Sequence, residues 1–210
     1  MRLRTARIAA ALVVALAPAA RAADEESKPL VRGTDPSQFE LVGIGSETIR
    51  IDEDGVIHVS GKPNGYFATK DSYKNYAVSF EWMYERPEGL ESDAQFNGNS
   101  GLLVHIQPPR KVWPRCIEVQ LMNRDAGNIF AINGSKFSGK KDADAQKRAI
   151  KPVGQWNREE VVCKDGAITC TINGVEVATG TGASPDHGQI AWQSEGRPIR
   201  FRNLRIQPRD

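Results

Sequence analysis

The chain has 210 residues, with 28 lysines and arginines against 26 aspartates and glutamates, and three cysteines. That length suits one domain with a sizeable core, and the near-neutral charge argues against nucleic acid as a partner. Three scattered cysteines without CxxC spacing argue against a zinc site.

The chain opens on Met1-Arg2-Leu3-Arg4-Thr5-Ala6-Arg7, runs apolar over 8–17 and closes on Ala20-Arg21-Ala22. A basic start, a short apolar run and small residues at the end predict a secretory signal peptide over 1–22. The apolar run is too short to cross a bilayer as a helix, and no other run approaches that length, so no membrane span is expected. Four arginines leave with the signal, so 24 basic residues then face 26 acidic ones and the exported chain sits near −2. The reading places the mature protein in the periplasm or outside the cell. Residues 23–38 are charged and poor in apolar side chains, which predicts a flexible leader, with a single domain over 39–207.

Strand signals follow at short intervals. A first short strand is expected over 39–42, and segments 48–51 and 56–59 flank Asp52-Glu53-Asp54-Gly55 as a hairpin. Gly61-Lys62-Pro63-Asn64-Gly65 turns the chain into 66–69. Over 76–84, Val78, Phe80, Trp82 and Tyr84 alternate with Ser79, Glu81 and Met83, the two-residue period of a strand. Residues 86–99 read as a long polar loop, and 101–106 as an apolar strand carrying His105.

Over 116–122, Ile117, Val119 and Leu121 alternate with Cys116, Glu118, Gln120 and Met122. Glu and Gln have low strand propensity, so this polar face is either solvent-facing or a functional floor. Segment 129–132 continues the pattern, and 133–148 reads as an exposed excursion with one weak helical candidate over 142–149. Strands over 159–163 and 168–172 close a hairpin at Asp165-Gly166. Cys163 and Cys170 share a parity there, which leaves a disulfide and two free thiols both open. Further strands are expected over 175–178, 188–193 and 199–206, the last with a bulge near Arg202-Asn203 where the apolar phase slips. About a dozen short strands with regular turns and at most one short helix predict an all-β, two-sheet antiparallel sandwich.

An ordered set of blocks carries a resemblance: Gly65-Tyr66-Phe67-Ala68-Thr69, Asn99-Ser100-Gly101-Leu102, Ile117-Glu118-Val119-Gln120-Leu121, Asp125-Ala126-Gly127, Trp156-Asn157, Asn173-Gly174 and Gln193-Ser194-Glu195-Gly196 before Phe201-Arg202-Asn203. Together they resemble the 3-keto-disaccharide hydrolase domain family over nearly the whole exported chain. The resemblance implies a concanavalin A-like jelly roll whose concave face carries a sugar site, and cleavage of glycosides already oxidised at C3. An oligosaccharide or glycoside is the implied substrate. A non-catalytic carbohydrate-binding module and a sugar-independent interaction domain are the alternatives.

Candidate site residues follow from parity. If 76–84 and 116–122 lie in one sheet, Glu81, Glu118 and Gln120 share the face opposite the core. A retaining glycosidase needs two carboxyls about 5–5.5 Å apart, and Gln120 cannot supply the second. A 3-keto sugar needs less. Its carbonyl acidifies the C2 proton, so one base and one group to stabilise the enolate suffice. Glu118 is expected as that base or as a metal-holding carboxylate, with His105 and Glu195 as further catalytic candidates. Gln120, Glu81, Arg202, Trp113 and Gln193 are expected to bind sugar, with Arg202 placed to pair with Glu118 or an oxyanion. No cofactor is certain; a divalent cation on Glu118, Glu81 or His105 stays open, without the spacing of a dedicated metal motif.

Overall fold

A computed structural model describes residues 26–209; the expected signal segment over 1–22 lies outside the described residues. The strands, in chain order, are β1 (Lys28–Pro29), β2 (Glu40–Val42), β3 (Ile49–Ile51), β4 (Ile57–Val59), β5 (Gly65–Ala68), β6 (Tyr76–Tyr84), β7 (Gly101–Gln107), β8 (Arg115–Gln120), β9 (Ile129–Ile132) and β10 (Lys136–Lys141). After one helix, α1 (Ala143–Ala149), come β11 (Asn157–Lys164), β12 (Ala167–Ile172), β13 (Val175–Ser184), β14 (Gln189–Ser194) and β15 (Ile199–Pro208). One antiparallel sheet runs β10-β13-β12-β11-β6-β15-β4-β3, with β1 alongside β15; the other runs β2-β5-β14-β7-β8-β9. The architecture is the expected all-β jelly-roll sandwich.

Alternation builds the core. Val78, Phe80, Trp82 and Tyr84 of β6 and Phe201 of β15 face Phe67, Trp192, Ile117, Val119 and Leu121 from the six-stranded sheet, and all are buried. Phe67 and Trp192 stack at 5.5 Å, and Phe80 meets Trp192 edge-on at 5.9 Å. Each such side chain contributes about 1.5–3 kcal/mol by leaving water, so these rings clamp the two sheets. The Arg202-Asn203 bulge is present: register shifts between Arg202 and Arg205, and Asn203 takes φ 54°.

Two expectations change, and one open alternative is settled. Residues 26–38 are not a loose leader. Lys28 and Pro29 pair with Ile206 and Arg205, and Gln207 Nε2 donates to Glu26 Oε2 at 2.8 Å. The polar excursion over 133–148 contains a real strand, β10, which alternates poorly because it is the sheet edge and exposes most of its side chains. The hairpin cysteines are free thiols: Cys163 pairs with Ile168 and Cys170 with Val161, a diagonal placement.

A second apolar cluster lies on the outer face of the six-stranded sheet. Tyr66, Ala68, Leu103, Ile106, Cys116 and Ala191 are buried there, with Val42 and Ile132 packed against them. The β7–β8 connection covers them. It reaches across to β2, where Arg110 lies 3.5 Å from Glu40, and Val112 packs so closely on Gly43 that no Cβ would fit there. This strap runs past Tyr66, whose hydroxyl feels the Arg110 charge.

Candidate functional site

Strand register fixes what surrounds Glu118. It pairs with Leu103 of β7 on one side and Phe130 of β9 on the other. One step along, Gln120 pairs with Gly101, and on β14 the outward residues are Ala191, Gln193 and, just past the strand, Glu195. Asn99 bridges to Glu195 and Gly196, so the ends of β7 and β14 bring Asn99, Gly101, Gln193 and Glu195 beside Glu118.

Gly101 is the small residue this cluster needs. A Cβ at that position would collide with Gln193 Oε1 and with Glu118 Oε1, so both oxygens converge on the glycine. Gln193 is 1% exposed, and its Oε1 has no hydrogen-bond partner. A buried amide oxygen without a donor costs stability, so the cluster holds an acceptor that no protein group fills.

Burial pushes the Glu118 carboxyl up to about 7, and the neighbouring charge of Glu195 adds to the shift. Burial likewise raises Glu195, partly offset by a hydrogen bond from the Asn99 side chain. Among the described residues no Lys, Arg or His pairs with either carboxyl. A carboxylate poised near neutral pH with no structural partner is what general-base chemistry uses. Gln120 commits its oxygen to the backbone N–H of Met122 at 2.7 Å, so only its NH2 end can serve a sugar.

Other expected members lie elsewhere. Glu81 and Arg202 belong to the nine-stranded sheet, so they do not share a face with Glu118. There they pair with each other, Arg202 Nη2 to Glu81 Oε2 at 2.7 Å, while Asn203 also donates to Glu81 and Arg202 stacks 4.1 Å over Trp156. The expectation failed because alternation reports a strand's polar side and not the sheet to which the strand belongs.

His105 is also displaced. It sits at φ 60° in a bulge where the β7–β8 register shifts between Val104 and Gln107. The extra residue hands the outward position to Ile106, which pairs with Gln189 and joins the apolar cluster. The imidazole turns instead against Tyr76, where Nδ1 donates to the Pro185 carbonyl at 3.1 Å and Nε2 is buried without a partner. Burial holds its pKa down at about 4, so it stays neutral. Trp113 remains 43% exposed at the end of the strap, its carbonyl held by Asn133 Nδ2 at 2.7 Å.

Sequence reasoning missed Asn99 as more than backbone geometry, and missed Gly101 as a clearance. It also missed Glu159. This residue shares the inward parity of Val161 and Cys163 and is fully buried between the sheets, accepting from Trp82 Nε1 at 3.2 Å. Burial raises its carboxyl to about 8 against hydrogen bonds from Trp82 and Cys170, so it is protonated at neutral pH. Its place inside the sandwich keeps it apart from the outer-face cluster.

Among the described residues no group of three or more His, Cys, Asp or Glu side chains could hold a metal. The donors that do converge are all oxygens: Glu118, Glu195 and the unpartnered Gln193 Oε1, with a further unpartnered amide oxygen on Asn99. That set fits a hard cation such as Mg²⁺ or Ca²⁺ better than a soft one.

Solved structures share the fold. Two candidate glycosyl hydrolases from Parabacteroides distasonis ATCC 8503 align with TM-scores of 0.64 and 0.63, each at 19% identity. They cover 93% and 87% of this chain, and 99% of each of theirs. The carbohydrate-binding module CBM66 of Bacillus subtilis aligns at a TM-score of 0.56 and 10% identity, over 81% of this chain and 95% of the module. No curated protein sequence matches the chain. The family model described as the 3-keto-alpha-glucoside-1,2-lyase-like domain, which the ordered sequence blocks resemble, matches residues 26–207, and the chain belongs to that carbohydrate-active family.

Proposed function

We propose that the protein is an exported enzyme that cleaves 3-keto-glycosides by elimination across C1 and C2, with hydration of the product completing a net hydrolysis. The observation that carries this reading is the buried, cation-free Glu118 carboxyl on the outer side of the six-stranded sheet, beside the unpartnered Gln193 oxygen. Burial holds Glu118 at a basicity suited to taking a proton near neutral pH.

In this reading Glu118 accepts the proton from C2, which the C3 carbonyl has acidified. The electron pair forms the enolate, and its collapse breaks the C1–O bond. The departing oxygen takes the proton back from Glu118, the group placed between the two sides of the site, and leaves as an alcohol. The other product is an unsaturated ketone; water adds its oxygen at C1 and a proton at C2 to give the free 3-keto sugar. Gln193 Oε1 accepts from a sugar hydroxyl, and the Gln120 NH2 donates to one. A hard divalent cation, when bound, would be held by Glu195 and Gln193, since Glu118 must stay free to take the proton, and would stabilise negative charge on the ketone oxygen. The family description, a 1,2-lyase acting on a 3-keto-α-glucoside, names the same pair of carbons.

A carbohydrate-binding module is the second reading, supported by the exposed Phe130 on this sheet and the exposed Trp113 on the strap beside it. It leaves the raised basicity of Glu118 without a use. The deciding experiment incubates the mature protein with paired glucosides and their 3-keto forms, with and without chelator. Cleavage of the 3-keto forms alone is expected. Binding without cleavage of either form would favour the module, and cleavage of the unoxidised glucoside alone would rule out elimination.

A further inference from the structure

Among the described residues the two exposed large hydrophobic side chains are Trp113, at 43%, and Phe130, at 37%. Both flank β8. Phe130 is the direct cross-strand partner of Glu118, and such partners hold their Cβ atoms roughly 4.5–5.5 Å apart. Phe130 sits on β9, the edge of its sheet, where exposed aromatics invite unwanted pairing and polar residues are the usual choice. Two residues along the same strand, Ile132 packs into the cluster beneath the strap, whereas Phe130 lies beyond that cover. Ile132 is thus half-buried in that cluster, whereas more than a third of Phe130 stays open to solvent.

The two sides of Glu118 differ in kind. Toward β7 and β14 lie Gly101, Gln193, Glu195 and Asn99, a set of oxygen acceptors and an amide donor. Toward β9 lies an aromatic ring. A ring that surrenders its C2 proton to Glu118 carries a ketone and hydroxyls that need polar partners, so it belongs on the β7–β14 side. We infer that Phe130 is the floor of a leaving-group subsite, stacking on the flat C–H face of a sugar or on an aryl ring attached through C1. This rests on the proposed elimination reading and sets which glycosides the enzyme prefers. Phe130 touches the departing group and positions it; the proton chemistry stays with Glu118.

The test compares the wild type with Phe130→Ala and Phe130→Trp on three 3-keto-glucosides whose leaving groups are methanol, a nitrophenol and glucose. Phe130→Ala is expected to raise KM about 5- to 20-fold for the aryl and glucosyl substrates, the scale of one lost aromatic contact, with KM for the methyl glycoside within about 2-fold. Phe130→Trp should restore the two raised values. An equal change for all three substrates, or no change for any, overturns the subsite while leaving the elimination reading intact. If the wild type cleaves none of the three, the reading and the subsite fall together. Partial exposure on an edge strand makes both variants tolerable to the fold, and a thermal melt matching the wild type confirms that KM reports the subsite.

Discussion

The outer faces of the two sheets are written in the same alternation of apolar and charged residues, and they finish in opposite chemistry. On the nine-stranded sheet the charges around Glu81 are matched by partners. Glu81 holds Arg202 and Asn203, Glu85 holds Arg200 at 2.8 Å, and Asp52 takes both Arg50 and His58. On the six-stranded sheet Glu118 and Glu195 face each other without a cation, and an amide oxygen beside them is buried with nothing to accept. Paired charges on an open surface contribute little and do little. Unpaired carboxyls held out of water raise their own basicity and cost stability, a cost that function explains. A polar strand face therefore marks a site only when its charges are left unmatched.

Substitutions can break that contrast. Glu118→Gln keeps the shape and removes the base, so kcat/KM on a 3-keto-glucoside should fall by about 10²–10⁴ while calorimetric affinity for the sugar holds within about 3-fold. Gly101→Ala should follow. Its Cβ must displace Gln193 Oε1 or Glu118 Oε1, and a misplacement of that size is expected to lower kcat/KM roughly 10- to 100-fold with the thermal melt little changed.

The pH profile sharpens the same contrast. A base acts only when deprotonated, so kcat/KM should rise with pH through about 7 and level off above it. Glu195→Gln removes a charge that pushes Glu118 up, so the acidic limb should move to lower pH; an unmoved limb would separate the two carboxyls. Glu81→Gln, on the opposite face, should change activity less than about 2-fold and stability by at most about 1 kcal/mol, read from denaturant midpoints.

Much of the fold was legible because alternation and turn chemistry are local. β6, β8, the β11–β12 hairpin and the Arg202-Asn203 bulge all stand where the apolar period places them. The partnership of strands was not legible. Glu81 and Glu118 have equivalent parity, yet they lie in different sheets, and no short-range signal says which. His105 shows the limit more sharply. One extra residue inverts the side of every side chain after it, and a run of Leu, Val, His and Ile gives no hint where the bulge falls. The Glu159 parity did point inward, beside Val161 and Cys163, but a core carboxyl is rare enough that the position drew no reading of its own. Gln193 and Glu195 could be proposed from the sequence; the convergence of Gln193 and Glu118 on Gly101 needed three strands in register.

The central claim is that Glu118 takes the C2 proton of a 3-keto sugar, and deuterium reports it directly. In D2O, elimination followed by hydration places deuterium at C2 of the released 3-keto sugar, whereas direct displacement at C1 retains the original hydrogen. Proton NMR of the product, compared with exchange in the absence of enzyme, should show wild-type protein incorporating deuterium at C2 in every turnover and Glu118→Gln incorporating none above that background. Product released at the full rate with its C2 hydrogen retained, or undiminished incorporation by Glu118→Gln, would contradict the account.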